Sequence, residues 1–173
     1  MDAEAEALYD ETRAFPSPAE EVPRPAPDQS LAPWWRRGVA WLLDGLVLGA
    51  PVGILGSLLD LVETVESADT VRYEPKPALL ILSFVVTLAY SALMDGSARG
   101  ATIGKMAMRI QVRDAYTAGP IGPARALIRR LIYLLLFYTF IIPGVLNALS
   151  PLWDARRQGW HDKAVRSVVV NAA

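Results

Sequence analysis

The chain has 173 residues, 53% of them hydrophobic and 20% charged, with no cysteine, one histidine and a formal net charge of -1. The lack of cysteine excludes a disulfide framework, a thiolate metal site and a cysteine nucleophile, and a single histidine excludes a histidine-rich metal cluster. The near-zero charge is a cancellation: residues 1–30 carry eight acids and two bases, whereas residues 31–173 carry ten acids and fifteen bases.

Residues 1–30 are acidic and rich in proline and alanine, too poor in branched aliphatics to offset the entropy of ordering, so they read as a disordered tail. They are expected to solvate the N-terminus or to dock a protein partner. An acidic start also argues against a secretory signal, which opens with a positive region followed by a short apolar run.

Three apolar blocks follow, residues 39–59, 78–94 and 131–153, and Asp44 is their single charged side chain. A soluble domain spreads its apolar residues at helix or strand period, so blocks of this length point to membrane helices and to a bilayer as partner. The first is about 31 Å long at helical rise, enough to cross the hydrocarbon core. Trp34, Trp35, Arg36 and Arg37 precede it as an interfacial anchor. The second takes Asp95 at its margin, spanning about residues 78–95. Ser83, Thr87, Tyr90, Ser91 and Asp95 form a polar stripe along it. They either hydrogen-bond a neighbouring helix or face a polar pathway.

Charge asymmetry predicts the orientation. Residues 60–77 hold five acids against two bases, and residues 95–130 hold seven bases against two acids. Short cytoplasmic loops are enriched in lysine and arginine, so the N-terminus and residues 95–130 are placed inside and residues 60–77 outside. The third block has basic flanks on both sides and Pro143-Gly144 near its middle. It is either a hairpin or re-entrant element, or one kinked span. Met108–Val112 and Val165–Val170 are β-type stretches that pair into a small cytoplasmic ribbon if the C-terminus lies inside. Arg125, Arg129 and Arg130 suit the headgroup level. The expected fold class is thus an all-α membrane protein with two spans, a third interrupted segment and a small β-ribbon.

Asp44 is the main candidate for function, because an acid within a membrane helix marks an interior or functional position by default. At about 8 Å into the block, it is either an interfacial acid with its carboxylate in water or a partnered, proton-binding or cation-binding site within the bundle. Arg37 lies nearly on the same helix face, yet helical side chains lean toward the N-terminus, so the two are not expected to pair. Arg129, Arg130 or Lys105 are candidate partners for Asp44, and Asp154 or Asp162 for Arg37. Gly45, Gly49, Gly53 and Ser57 recur every four residues as a small-residue seam, for packing against the second helix or in a homodimer. Gly100–Lys105 lacks the glycine and the hydroxyl of a phosphate loop. No base, nucleophile and orienting group assemble, so no enzyme is expected, nor any metal, cofactor or nucleic-acid partner.

Four motifs in order, Arg37-x-x-Ala40-x-x-x-Asp44, Gly100-Ala-Thr-Ile-Gly-Lys105, Arg125-Ala-Leu-Ile-Arg-Arg130 and His161-Asp162-Lys163-Ala164, resemble the RDD family of bacterial membrane proteins. The resemblance covers roughly residues 34–171, and Val165-Arg166-Ser167 departs from it where the family often has a glycine-containing turn. It implies that Arg37 and Asp44 are the family's arginine and first aspartate, with Asp162 as the second, ahead of Asp154. It further implies transport, with cation–proton exchange in some members. The expected function is a small inner-membrane protein that moves a cation or small solute, with Asp44 as titrating site and Arg37 and Asp162 gating or neutralising it. A homo-oligomer is expected, because two spans and a hairpin are few helices for a pathway. A non-transporting scaffold or accessory subunit is the other reading.

Overall fold

Unbroken runs of leucine, valine, isoleucine and alanine satisfy their backbone groups internally as helix, which is the one open-ended structure that hydrocarbon tolerates. The computed structural model describes residues 30–67 and 69–172. The disordered-tail expectation thus falls, apart from Ser30, outside the described residues. Two helices are long and apolar enough to cross a membrane, α1 (Trp34–Leu58) and α2 (Pro77–Asp95). Asp60, at φ 53°, turns the chain after α1 in a left-handed conformation that aspartate accepts more readily than most residues. Pro77 opens α2, where its missing N–H has no intrahelical partner to lose.

Between them lies an element that the acidic composition of residues 60–77 did not suggest. β1 (Val62–Ser67) and β2 (Thr70–Pro75) form an antiparallel hairpin, with Val62 opposite Pro75 and Val65 opposite Arg72. Its valines, threonines and Tyr73 supply β-forming residues, while its side chains stand mostly in solvent.

The polypeptide after α2 begins at the opposite end of the helix pair from the hairpin, and its longest helix, Gly122–Thr139, starts there against Gly96 and packs beside α2. It forms α3 (Ile103–Ala107), β3 (Ile110–Asp114), α4 (Gly122–Thr139), α5 (Ile141–Leu149), a short 3-10 turn, α6 (Trp160–Ala164) and β4 (Ser167–Asn171). β3 and β4 pair antiparallel, Ile110 opposite Asn171 and Val112 opposite Val169. The ribbon anticipated from Met108–Val112 and Val165–Val170 therefore exists, shifted about two residues toward the C-terminus at its start. Arg109 and Arg166, at φ 52° and 51°, cause the shift. Each ends a five-residue helix in a left-handed conformation and directs the chain into its strand. The two units mirror one another: Ala172 N–H donates to the Arg109 carbonyl and Ala115 N–H to that of Arg166, both at the ends of the ribbon.

Ser30–Ala32 run beside β4, with Ala32 N–H donating to the Val169 carbonyl at 3.0 Å. Ala32, Ala40, Ile110, Val112, Ile121, Ala126 and Val169 make the apolar core, which sits under the ribbon against the starts of α1 and α4. In α1 itself only Ala40 and Gly56 are buried, and large side chains such as Leu42, Leu46, Ile54 and Leu58 stand exposed. That much apolar surface is stable against lipid, not water.

The third apolar block divides at Phe140, which is extended at φ -140° and ψ 103°, and not at Pro143-Gly144. Pro143 falls in the first turn of α5, where its missing donor costs little. Gly144 permits α5 to fold back on α4: a Cβ there would lie 2.6 Å from the Phe137 Cα. The indole N–H of Trp34 donates to the Ala148 carbonyl at 2.8 Å. The block thus starts and finishes at the end of the helix pair that carries the ribbon.

The glycine seam corrects another expectation. A Cβ at Gly45, Gly49 or Gly53 would meet nothing within 4 Å among the described residues, so these three glycines do not pack on the second helix. Gly56, outside the pattern, makes the close approach, where a Cβ would sit 2.6 Å from Leu79 Cδ2. Gly56 lies eleven residues beyond Gly45 and therefore on nearly the same face of α1, at about 100° per residue. What differs is the level along the helix: α2 comes close at Gly56 and not at Gly45, Gly49 or Gly53.

Candidate functional site

The ends of α1, α2 and α4 and the short helices α3 and α6 converge on a chain of alternating charges. Asp162, in the first turn of α6, is fully buried. Its Oδ1 accepts from Arg129 Nε at 2.7 Å and from Ser167 Oγ at 3.3 Å. Its Oδ2 accepts from Arg37 Nη1 at 3.3 Å and reaches back to the Gly159 N–H at 3.1 Å. Arg129 continues through Nη1 to Asp95 Oδ2 at 3.0 Å, and both Asp95 oxygens accept from Lys105 Nζ at 2.5 Å. Five residues from five elements are thereby tied together.

Burial alone would raise the Asp162 pKa, but the Arg129 and Arg37 guanidiniums hold it well below the usual carboxylate range. Burial pulls the Lys105 ammonium below its ordinary value, against the attraction of Asp95 and Asp44. Removal of one partner from such a cluster leaves a charge buried and uncompensated, which is why the cluster locks its elements together.

Asp44 sits beside this chain yet has neutral partners. Its Oδ1 accepts from the Tyr90 hydroxyl and from the Gly104 N–H, each at 2.8 Å, and its Oδ2 from the Thr102 hydroxyl at 2.6 Å. Tyr90 in turn accepts from the Ile103 N–H at 2.8 Å. The motif residues Gly100–Lys105 explain the arrangement. Thr102 caps α3, and Gly104 lies so close to α1 that a Cβ would stand 2.2 Å from the Ala40 carbonyl oxygen and 2.9 Å from Asp44. Only glycine brings α3 near enough for the Gly104 amide to meet the carboxylate.

The expected partners of Asp44 are thus replaced. Lys105 binds Asp95, Arg129 bridges Asp95 and Asp162, and Arg130 lies over the Tyr133 ring at 5.4 Å. Arg37 meets Asp162, while Asp154 pairs with Lys163. Arg125 pairs with Asp114 and donates to the Val165 and Arg166 carbonyls. Of the polar stripe, Tyr90 reaches α1 and Asp95 enters the charge chain, while Ser83 bonds the Leu79 carbonyl of its own helix. The role of Asp95 was legible in part: an acid at a helix C-terminus opposes the macrodipole and needs a cation nearby.

His161 closes the site. Its Nδ1 lies 2.8 Å from Asn147 Oδ1, its ring packs edge-on against Tyr133 at 5.3 Å, and its Nε2 is 3.5 Å from Asp162. Burial, assisted by the Arg129 and Arg37 charges, pushes its pKa down to about 4 despite Asp162. An unfolded histidine titrates near 6.5, so between those values the unfolded state binds more protons and stability falls with pH. Acidification from pH 7 to pH 5 is therefore expected to cost about 2 kcal/mol through this residue. Thermal unfolding of the detergent-solubilised chain checks this, with His161→Gln expected to lose most of that acid sensitivity.

Among the described residues, no group of three or more His, Cys, Asp or Glu is placed to hold a metal. The chain matches the model of the RDD family over residues 31–166. It is 30% identical, over 163 residues, to the proline-rich antigen homolog of Mycobacterium tuberculosis in strains CDC 1551 / Oshkosh and ATCC 25618 / H37Rv. The alignment takes in 85% of this chain, and the chain spans 66% of the length of those relatives. No solved structure matches.

Proposed function

Since the chain belongs to the RDD family of membrane proteins, we propose that it is a multi-pass inner-membrane protein that moves a cation or small solute, with Asp44 as its titrating site. One observation carries the reading. Asp95, Asp114, Asp154 and Asp162 each have a basic partner, whereas Asp44, within an apolar span, is held among the described residues by neutral donors only. A carboxylate without a counter-ion in low dielectric attracts either a proton or a metal cation. Tyr90 and Thr102 suit the exchange, because a hydroxyl that donates to a carboxylate can also turn its oxygen to a cation. Neutralising Asp44 would also weaken its pull on Lys105, which ties the site to the Arg37–Asp162 chain.

In this reading α4 and α5 form a re-entrant hairpin, and the ribbon, the N-terminus and residues 95–130 face the cytoplasm. Two spans enclose little space, so the pathway forms in a homo-oligomer, with the open Gly45–Gly49–Gly53 face as its seam. The scaffold reading is favoured by one feature, the saturation of the Asp44 oxygens by three donors. Full chain in liposomes with imposed sodium and proton gradients decides between them. Cation-driven proton movement is expected, and Asp44→Asn, which keeps an acceptor for Tyr90 and Gly104, is expected to abolish it. Absence of flux, or flux indifferent to that substitution, leaves the scaffold.

A further inference from the structure

Residues 95–130 hold seven bases, and internal pairing accounts for Lys105, Arg125 and Arg129. Three of the remaining four gather at one place. Arg99, Arg109 and Arg113 line a cleft of about 480 Å³ between the turn after α2, α3 and the start of β3, and among the described residues no acid lines it. Arg113 is fixed as its wall, with Nη1 donating to the Ala98 carbonyl at 2.9 Å and Nη2 to Gln111 Oε1 at 2.7 Å, while its Nε is buried without a partner. The Arg99 and Arg109 side chains have no hydrogen-bond or ion-pair partner among the described residues. Arg109 moreover occupies φ 52°, a conformation that glycine adopts without strain and arginine does not.

Three guanidiniums around one cleft repel one another unless an anion joins them, and guanidinium matches phosphate geometry closely. The position of the cleft selects the source of the phosphate. Arg99 follows the last residue of the apolar helix α2 by one short turn, which puts the cleft at the level of the bilayer surface. Met106, 36% exposed, lines it, and Ile103 on the same short helix is 43% exposed, so apolar surface for acyl chains adjoins the charges.

We propose that this cleft binds the phosphate of an anionic phospholipid headgroup, with Arg99 and Arg109 as the free guanidiniums that clamp it and Arg113 as its fixed wall. The assignment requires the chain to lie in a membrane but does not depend on Asp44 or on transport. It gives the strained Arg109 a purpose that a glycine at the same turn would not serve.

The experiment compares retention of phosphatidylglycerol and phosphatidylcholine by the purified full chain, read by native mass spectrometry, for the wild type and for Arg99→Gln/Arg109→Gly. Wild type is expected to prefer phosphatidylglycerol. The double variant should bind it roughly 30-fold more weakly, since each arginine near a membrane surface contributes about a fivefold factor. Glycine fits φ 52°, so the variant should melt with the wild type; if it does not fold, Arg99→Gln alone should show the single fivefold loss. Equal retention by wild type and variant overturns the site. Displacement of the lipid by inorganic phosphate at equal concentration overturns the lipid assignment in favour of a free anion. Loss of lipid binding with flux intact, or the reverse, separates this result from the Asp44 reading.

Discussion

Replacing Asp162 with alanine is expected to destabilise the protein by about 3–5 kcal/mol, the magnitude for one member removed from a buried ion cluster. The carboxylate has no exposure to water, and its loss leaves Arg37 Nη1 and Arg129 Nε without their acceptor. Gly159 and Ser167 lose an acceptor as well, so α6 comes free of its N-terminal contact and of β4. Against a total stability of about 5–15 kcal/mol for an ordinary domain, that loss should show as poor accumulation in the membrane. Asp162→Asn keeps acceptor capacity and should fall between alanine and wild type. Asp60→Asn is the contrast: its pair with Lys76 is solvent-exposed, Asp60 being 91% accessible, and about 0–1 kcal/mol is expected. Melting of the detergent-solubilised variants measures all three. Equal melting of Asp162→Ala and wild type would sink the account of the charge chain as the lock of the fold.

Gly104→Ala is the second large effect, expected at about 3 kcal/mol from overpacking together with lost capping. The new methyl would meet backbone, the Ala40 carbonyl oxygen at 2.2 Å, and backbone in two packed elements cannot give way as a flexible side chain would. Separation of α3 from α1 would remove the Gly104 and Thr102 donors from Asp44 and loosen Lys105 from Asp95. Gly49→Ala is the counterpart, since nothing lies within 4 Å of its Cβ position. Alanine in place of a helix-interior glycine should be neutral or stabilise the isolated chain by about 0.5–1 kcal/mol. Should Gly49→Ala instead reduce oligomer while leaving the monomer intact, the open seam is the contact between copies.

Much of the site was legible one residue at a time. Asp44 stood out as the single charge in three apolar blocks, and Arg37 and Asp162 as members of recurring motifs, because these are properties of composition and order. What sequence could not supply was pairing. Lys105, Arg129 and Arg130 were equally good partners for Asp44 on charge alone, and the structure gives Lys105 to Asp95 and Arg129 to Asp95 and Asp162. The reason is steric: Gly104 brings the amide end of α3, and not a basic side chain, against α1.

The long apolar blocks by themselves determined that α1 and α2 are helices able to span a bilayer, since hydrocarbon leaves a backbone no other way to satisfy its donors and acceptors. The β-type stretches likewise marked the two strands of the ribbon to within about two residues. Only the tertiary structure decided how the ends meet. Two left-handed arginines set the start of each strand, Phe140 and not Pro143 turns the third block back, and one glycine seam is left open while Gly56 closes on Leu79. Each of these depends on which surfaces come within a few ångströms of each other, and distance in space is the one quantity that spacing along a chain does not contain.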